Sequence, residues 1–252
     1  MKKVALGLFS LVLAGGLIAQ DKPPNFGKVL SNTSKLKSYS FKISGGADSF
    51  TGEYEKGGAH YRAGGAEAAG KGAVSIARSG GDWASITSLI QVGEGGESLK
   101  RLAKLQPPHT IAQLLSSYLA KLDGDGLAGF SGELRLDAIP QLAQAPWIAD
   151  DEIRGAGGLQ GTVAISCKDG RVSKIEIQLS GTIVDWKRRH YHGKPDPNQP
   201  PPTPPGQNWK LGGDGYWYEG DERSLSKTIK VEINDHDSAS IAEDVRKKIG
   251  LK

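Results

Sequence analysis

Pairs of glycines separate short runs in which apolar and polar residues alternate, and this constrains the fold more than any other feature. Tyr39, Phe41 and Ile43 alternate with Ser38, Ser40 and Lys42, and Gly45-Gly46 follows. Phe50 and Tyr54 alternate with Thr51, Glu53 and Glu55, and Gly57-Gly58 follows. His60-Tyr61-Arg62 makes a short third run; Ala73 to Arg78, with Val74 and Ile76 on one side, makes a fourth before Gly80-Gly81. A side-chain period of two is that of a strand with one buried face. Glycine supplies the positive φ that tight antiparallel turns require. The pattern predicts an antiparallel meander. It also explains most of the glycine excess, 35 in 252 residues, about twice the usual share.

A second block of alternation lies further on. Val163, Ile165 and Cys167 alternate with Thr162, Ala164 and Ser166, and Asp169-Gly170 is a favoured two-residue turn. The return strand carries Val172, Ile175, Ile177 and Leu179 and continues through Gly181 towards Trp186. Phe130 to Leu136 and Thr228 to Ile233 alternate in the same way. Helical spacing appears at Phe26, Val29, Leu30 and Thr33, and again at Ile111, Leu114, Leu115, Tyr118, Leu119 and Leu122. The latter predicts an amphipathic helix over 110–122, opened by Thr110 with Gln113 as a capping box. Asp137 is placed to cap a short helix through Leu142. Ile241, Val245 and Ile249 predict a C-terminal helix with its cap at Ser240. Seven of the 13 prolines fall between Pro195 and Pro205. Such a run cannot enter a sheet interior, so residues 187–215 are expected to form a long loop within one domain spanning 20–252.

The first 19 residues read as an export signal. Lys2 and Lys3 precede an uncharged, mostly apolar run from Val4 to Ile18, and Ala19 is the expected cleavage position. The alternative is a retained anchor. No cysteine follows the run, so lipid attachment there is excluded; the only thiol is Cys167. Removing Lys2 and Lys3 takes the formal charge of +4 down by two, to 30 basic against 28 acidic residues. That balance is not the footprint of a nucleic-acid binder. One cysteine excludes an intrachain disulfide and a cysteine-rich zinc site. An exported, periplasmic or envelope location after signal cleavage is expected, in a bacterium, as a monomer without a cofactor.

Catalytic signatures are absent. Gly65 to Lys71 fits G-x-x-x-x-G-K, but Gly72 follows where a phosphate-binding loop needs Ser or Thr; a plain loop is the expectation. Gly155-Ala156-Gly157-Gly158 lacks dinucleotide spacing, and no G-x-S-x-G occurs. His190 and His192 could grip one metal from a shared strand face, with His236 or Asp237 as a third ligand; a solvated loop edge is the competing reading. Cys167, on an apolar strand face, reads as a small buried hydrophobe. Trp209, Tyr216, Trp217 and Tyr218 gather beside the proline run, either as a partner surface or to pin the loop to the sheet.

The order of elements resembles the periplasmic lipoprotein-carrier superfamily of LolA/LolB and LppX/LprG type. The likeness rests on Leu36 to Phe41 after the first helix and on Phe130-Ser131-Gly132-Glu133-Leu134 before Asp137. It rests also on Val163 to Leu179 with its Asp-Gly turn, and on Thr228 to Asp235 before the tail. The proline run is a departure from the family pattern. The resemblance implies an α+β fold, a curved antiparallel half-barrel wrapped around a central amphipathic helix and short helices. It implies a non-enzymatic protein that buries a lipid, or the acyl chain of a lipoprotein, in an apolar cavity. Tyr39, Phe41, Phe50 and Tyr54 would line that cavity from the sheet, Leu114, Leu115 and Tyr118 from the helix, and Ile175 and Ile177 from the far side. The same residues equally describe a plain core. Two other readings remain: an envelope interaction or sensor module using the proline-aromatic loop, and a secreted metal-assisted enzyme.

Overall fold

A computed structural model describes Pro23 and residues 25–188, 208–211 and 217–252. Helix α1 (Phe26–Ser34) leads into a meander of β1 (Ser38–Ser44), β2 (Phe50–Glu55), β3 (Gly58–Ala63), β4 (Ala66–Lys71), β5 (Ile76–Ser79) and β6 (Ala84–Ser85). Three helices follow, α2 (Ile86–Gln91), α3 (Gly96–Leu102) and α4 (Pro108–Tyr118), then β7 (Leu119–Asp125) and β8 (Gly129–Leu134). Short helices α5 (Ile139–Ala143) and α6 (Asp151–Gly155) precede β9 (Gly157–Lys168) and β10 (Arg171–Arg188). The chain ends with β11 (Asn208–Leu211), β12 (Trp217–Asn234) and α7 (Glu243–Lys248).

All described strands join one open 12-stranded sheet in the order β6-β5-β4-β3-β2-β1-β12-β10-β9-β8-β7, with β11 added to β12. Every pairing is antiparallel. The fold is therefore α+β, a curved antiparallel sheet with helices laid on its inner face. The glycine pairs are turns: the first of each pair, Gly45, Gly57 and Gly80, takes positive φ. Asp169 and Gly170 both have positive φ, 53° and 67°, as the two-residue hairpin between β9 and β10 requires.

The inner face of the sheet and helices α1 to α6 share one apolar core. Thr33 lies inside it at 1 % exposure. Its hydroxyl donates to the Val29 carbonyl and accepts from the Val172 N–H, both at 2.8 Å, so a buried polar group ties α1 to β10 without loss.

Six expectations need correction. The amphipathic helix ends at Tyr118, not Leu122. Leu119 and Leu122 are buried from β7, where a bulge at Ala120 puts residues three apart on one face and imitates helical spacing. Pro107 and Pro108 start that helix, and no side chain caps it. Neither Asp137 nor Ser240 is a cap: Asp137 pairs with Arg135, and the Ser240 hydroxyl donates to the Ile241 carbonyl. Residues 66–71, expected to be loop, form β4. Its small side chains are what two covered faces require: Ala68 faces the main core, and Ala69 packs under Ile241, Val245 and Ile249. A Cβ at Gly70 would lie 1.9 Å from the Ala73 carbonyl oxygen. Finally, β10 reaches Arg188 and β11 falls at 208–211, both inside the expected 187–215 loop; the proline run itself lies outside the described residues. Among the described residues, no helix is long and apolar enough to cross a membrane.

Candidate functional site

The residues expected to face a ligand converge on the inner face between β1, β2, β10 and α4. Tyr39, Phe50, Leu115, Ile175 and Ile177 are 0 % exposed and Phe41 3 %. Strand period explains the sheet residues; β1 and β2 lie opposite each other in register, with Tyr39 facing Tyr54 and Phe41 facing Gly52. Tyr54 and Tyr118 are half-buried at the margin of this core. Leu114 is turned out, 39 % exposed. At about 100° per residue, the buried arc of α4 is centred on Pro108, Ile111, Ala112 and Leu115, and small Ala112 draws it away from Leu114. These side chains pack as one continuous core.

A polar pair sits at the edge of this packing. The Tyr39 hydroxyl lies 2.6 Å from Nδ1 of His109, in the first turn of α4. Tyr54 stacks on Tyr39 at 4.9 Å, and the His109 ring meets Tyr54 edge-on at 4.9 Å. Burial pushes the Tyr39 phenol well above its ordinary pKa and lowers that of His109. Both are therefore neutral near pH 7, the phenol donating to Nδ1 and the imidazole proton on Nε2. His109 escaped the sequence reading; nothing marks it except its place after Pro107-Pro108.

Helices α2 and α3 cover the inner face at β3 to β5. Leu89, Leu99 and Leu102 are buried beneath them. The polar edge of α3 is tied to the β1–β2 turn: Arg101 Nη1 donates to Asp48 Oδ2 at 2.7 Å, and the Ser98 hydroxyl donates to the same carboxylate.

The outer face of β2 to β5 holds a closed ladder of charge. His60, 2 % exposed, donates from Nε2 to Glu67 Oε2 at 2.9 Å and accepts at Nδ1 from Arg62 at 3.1 Å. Arg62 also donates to Glu53 and Arg78 to Glu67, while Arg78 lies 5.1 Å from the centre of the Trp83 ring. Burial raises the pKa of Glu53 and Glu67, but the hydrogen bond from Arg62 to Glu53 and those from Arg78 and His60 to Glu67 outweigh it and hold both carboxyls below the usual range. The ladder fixes register across four strands, and its histidine is out of reach of solvent.

The metal candidate His190 and His192 lies outside the described residues. His236 is half-buried, and Asp237 is engaged by the Lys37 N–H and Arg171. Among the described residues no group of three or more His, Cys, Asp or Glu is arranged to hold a metal. Cys167 is half-buried, and burial raises its thiol pKa. In the aromatic set, Trp209 stands opposite Glu219 and Trp217 opposite Leu211. Tyr218, half-buried, lies opposite Lys210 and Arg188; Tyr216 lies outside the described residues.

No family model matches the chain, and no curated protein matches it. Among solved structures, the crystal structure of LprF from Mycobacterium bovis is similar, with 10 % identity, a TM-score of 0.39, and coverage of 86 % of this chain and 93 % of that one. A superposition this loose brings no ligand, partner or activity to the chain.

Proposed function

We propose that the chain is an exported, non-catalytic protein that binds a hydrophobic ligand, a lipid or the acyl chain of a lipoprotein, on the inner face of its sheet. The observation that carries the reading is how that face is covered. Among the described residues, a broad apolar sheet surface is closed at β3 to β5 by α2 and α3, of 6 and 7 residues. Helices this short have no stability of their own in water. They hold their place through buried leucines and the Asp48–Arg101 tether, so their hold on the sheet is entirely tertiary. Lifting them opens a path to Phe41, Phe50 and Tyr61, with Tyr39, Tyr54, Tyr118 and His109 at the margin and Leu115, Ile175 and Ile177 beyond. An acyl chain then replaces leucine side chains over the same surface, and each methylene it buries contributes about 0.8 kcal/mol. Leu114, facing solvent, has no part in this lining. The segment Met1–Ala19 supplies export, with cleavage after Ala19.

Titration of residues 20–252 with a fluorescent long-chain fatty acid tests the reading. Saturable binding is expected, with faster uptake in Asp48→Ala and Arg101→Ala, which loosen the flap. A signal that never saturates, or variants with unchanged uptake rates, would sink it.

A further inference from the structure

The outer face of the sheet carries a trough that inner-face binding leaves unused. Two adjoining hollows, of 380 and 580 Å³, share Glu133, Thr162 and Gln178. Together they cross β7, β8, β9, β10 and β12, four strand spacings or about 19 Å. The strands that line it carry register shifts at Leu119/Lys121 and Ser180/Thr182, where local twist increases.

The chemistry of the lining selects its ligand. Most charges in and around the trough pair with one another, Lys121 with Asp123 at 3.0 Å, Arg135 with Asp137 at 2.7 Å, and Lys174 with Glu176 at 2.6 Å; Glu133, common to both hollows, adds a carboxylate that can accept from a ligand hydroxyl. What faces a ligand besides them is hydroxyl and amide, from Ser131, Gln160, Thr162, Gln178, Ser180 and Ser226. Each such group can both donate and accept a hydrogen bond. An anion would meet Glu133 and Glu176, and a cation would meet Lys121 and Arg135. An acyl chain would strip water from all of these groups without replacing their bonds. A peptide backbone gains little, because the sheet's own N–H and C=O groups are spent in its ladders. The hydroxyls of a sugar donate and accept as the lining does. Leu136, 69 % exposed at the rim, offers an apolar surface to the C–H face of a sugar ring. The same strand face runs along β10 from Gln178 and Ser180 to Trp186, a 37 % exposed aromatic with Lys210 4.1 Å from its ring centre.

We propose that this trough binds a neutral oligosaccharide of several rings, independently of the inner face. Saturation-transfer NMR and calorimetry of the full mature chain with maltohexaose, cellohexaose and N-acetylated chitohexaose provide the test. At least one should bind saturably, with saturation transferred from the protein to the sugar's ring protons. Thr162→Ala with Gln178→Ala should weaken binding at least tenfold at an unchanged thermal melt, while Leu114→Ala, on the other side of the sheet, should leave it intact. Absence of binding by all three sugars, undiminished binding in the double variant, or preference for dextran sulfate over dextran would each overturn the proposal.

Discussion

Replacing Tyr39 by Phe removes one oxygen from the margin of the inner-face site and nothing else. The ring is 0 % exposed, and its hydroxyl meets His109 Nδ1 at 2.6 Å. The ring's stacking on Tyr54 at 4.9 Å survives, so the apolar contribution is unchanged. What is lost is the net worth of one buried neutral hydrogen bond, about 0.5–1.5 kcal/mol. His109 is only half-buried, so water can reach the freed Nδ1 and the loss stays near about 1 kcal/mol. For a chain of this size that lowers Tm by about 2–4 °C. Thermal and urea unfolding followed by circular dichroism, on Tyr39→Phe, His109→Ala and the double variant, measure it. The two changes should be non-additive, with a coupling of about 0.5–1 kcal/mol. An unchanged Tm in Tyr39→Phe, or single losses that simply add, would refute the pairing of α4 with β1 through this bond.

Other expectations follow from the same geometry. Leu115→Ala should cost about 2–5 kcal/mol by urea unfolding, and Leu114→Ala no more than about 0.5 kcal/mol; equal losses would contradict the helix orientation. Gly52→Ala places a Cβ 2.0 Å from the His60 carbonyl oxygen, a backbone clash at the upper end of overpacking, about 3 kcal/mol; a melt like that of the parent would contradict the β2–β3 register. The pKa of His109 is lowered by burial, so the unfolded chain takes up its proton first. The stability it contributes is full above about 6.5 and is lost as pH falls from there through the lower folded value. His236, depressed chiefly by burial, adds to the same window. Glu53 and Glu67 contribute stability above about 4.3 that is lost as pH falls through their depressed folded values. The melting temperature should therefore step down twice on acidification, and His109→Asn should shrink the upper step; an upper step of unchanged size would contradict the assignment.

Strands were legible in the sequence where one face is buried and the other wet. β1, β2, β9 and β10 alternate cleanly, and Asp169-Gly170 marks its own turn. β4 was not legible, because burial on both faces selects Ala and Gly, which carry no alternation. The end of α4 was hidden by the bulge at Ala120, which gives two strand leucines a helical interval. The charge ladder through His60 has no local sequence signature, since its partners lie on four strands and Trp83, 5.8 Å from the His60 ring, comes from further along the chain. The inner-face residues were legible as apolar positions. The value of His109 depends on a partner 70 residues away, and no local pattern encodes that.

The central claim is that the inner face accepts an acyl chain beneath α2 and α3. Native mass spectrometry of the mature chain, purified from the cell envelope without detergent, tests it most directly. The account predicts adducts with the masses of acyl lipids, recovered in organic extracts and retained less well when Asp48→Ala loosens the flap. A chain that appears only at its bare polypeptide mass, and gains no adduct after incubation with long-chain fatty acid, would contradict it.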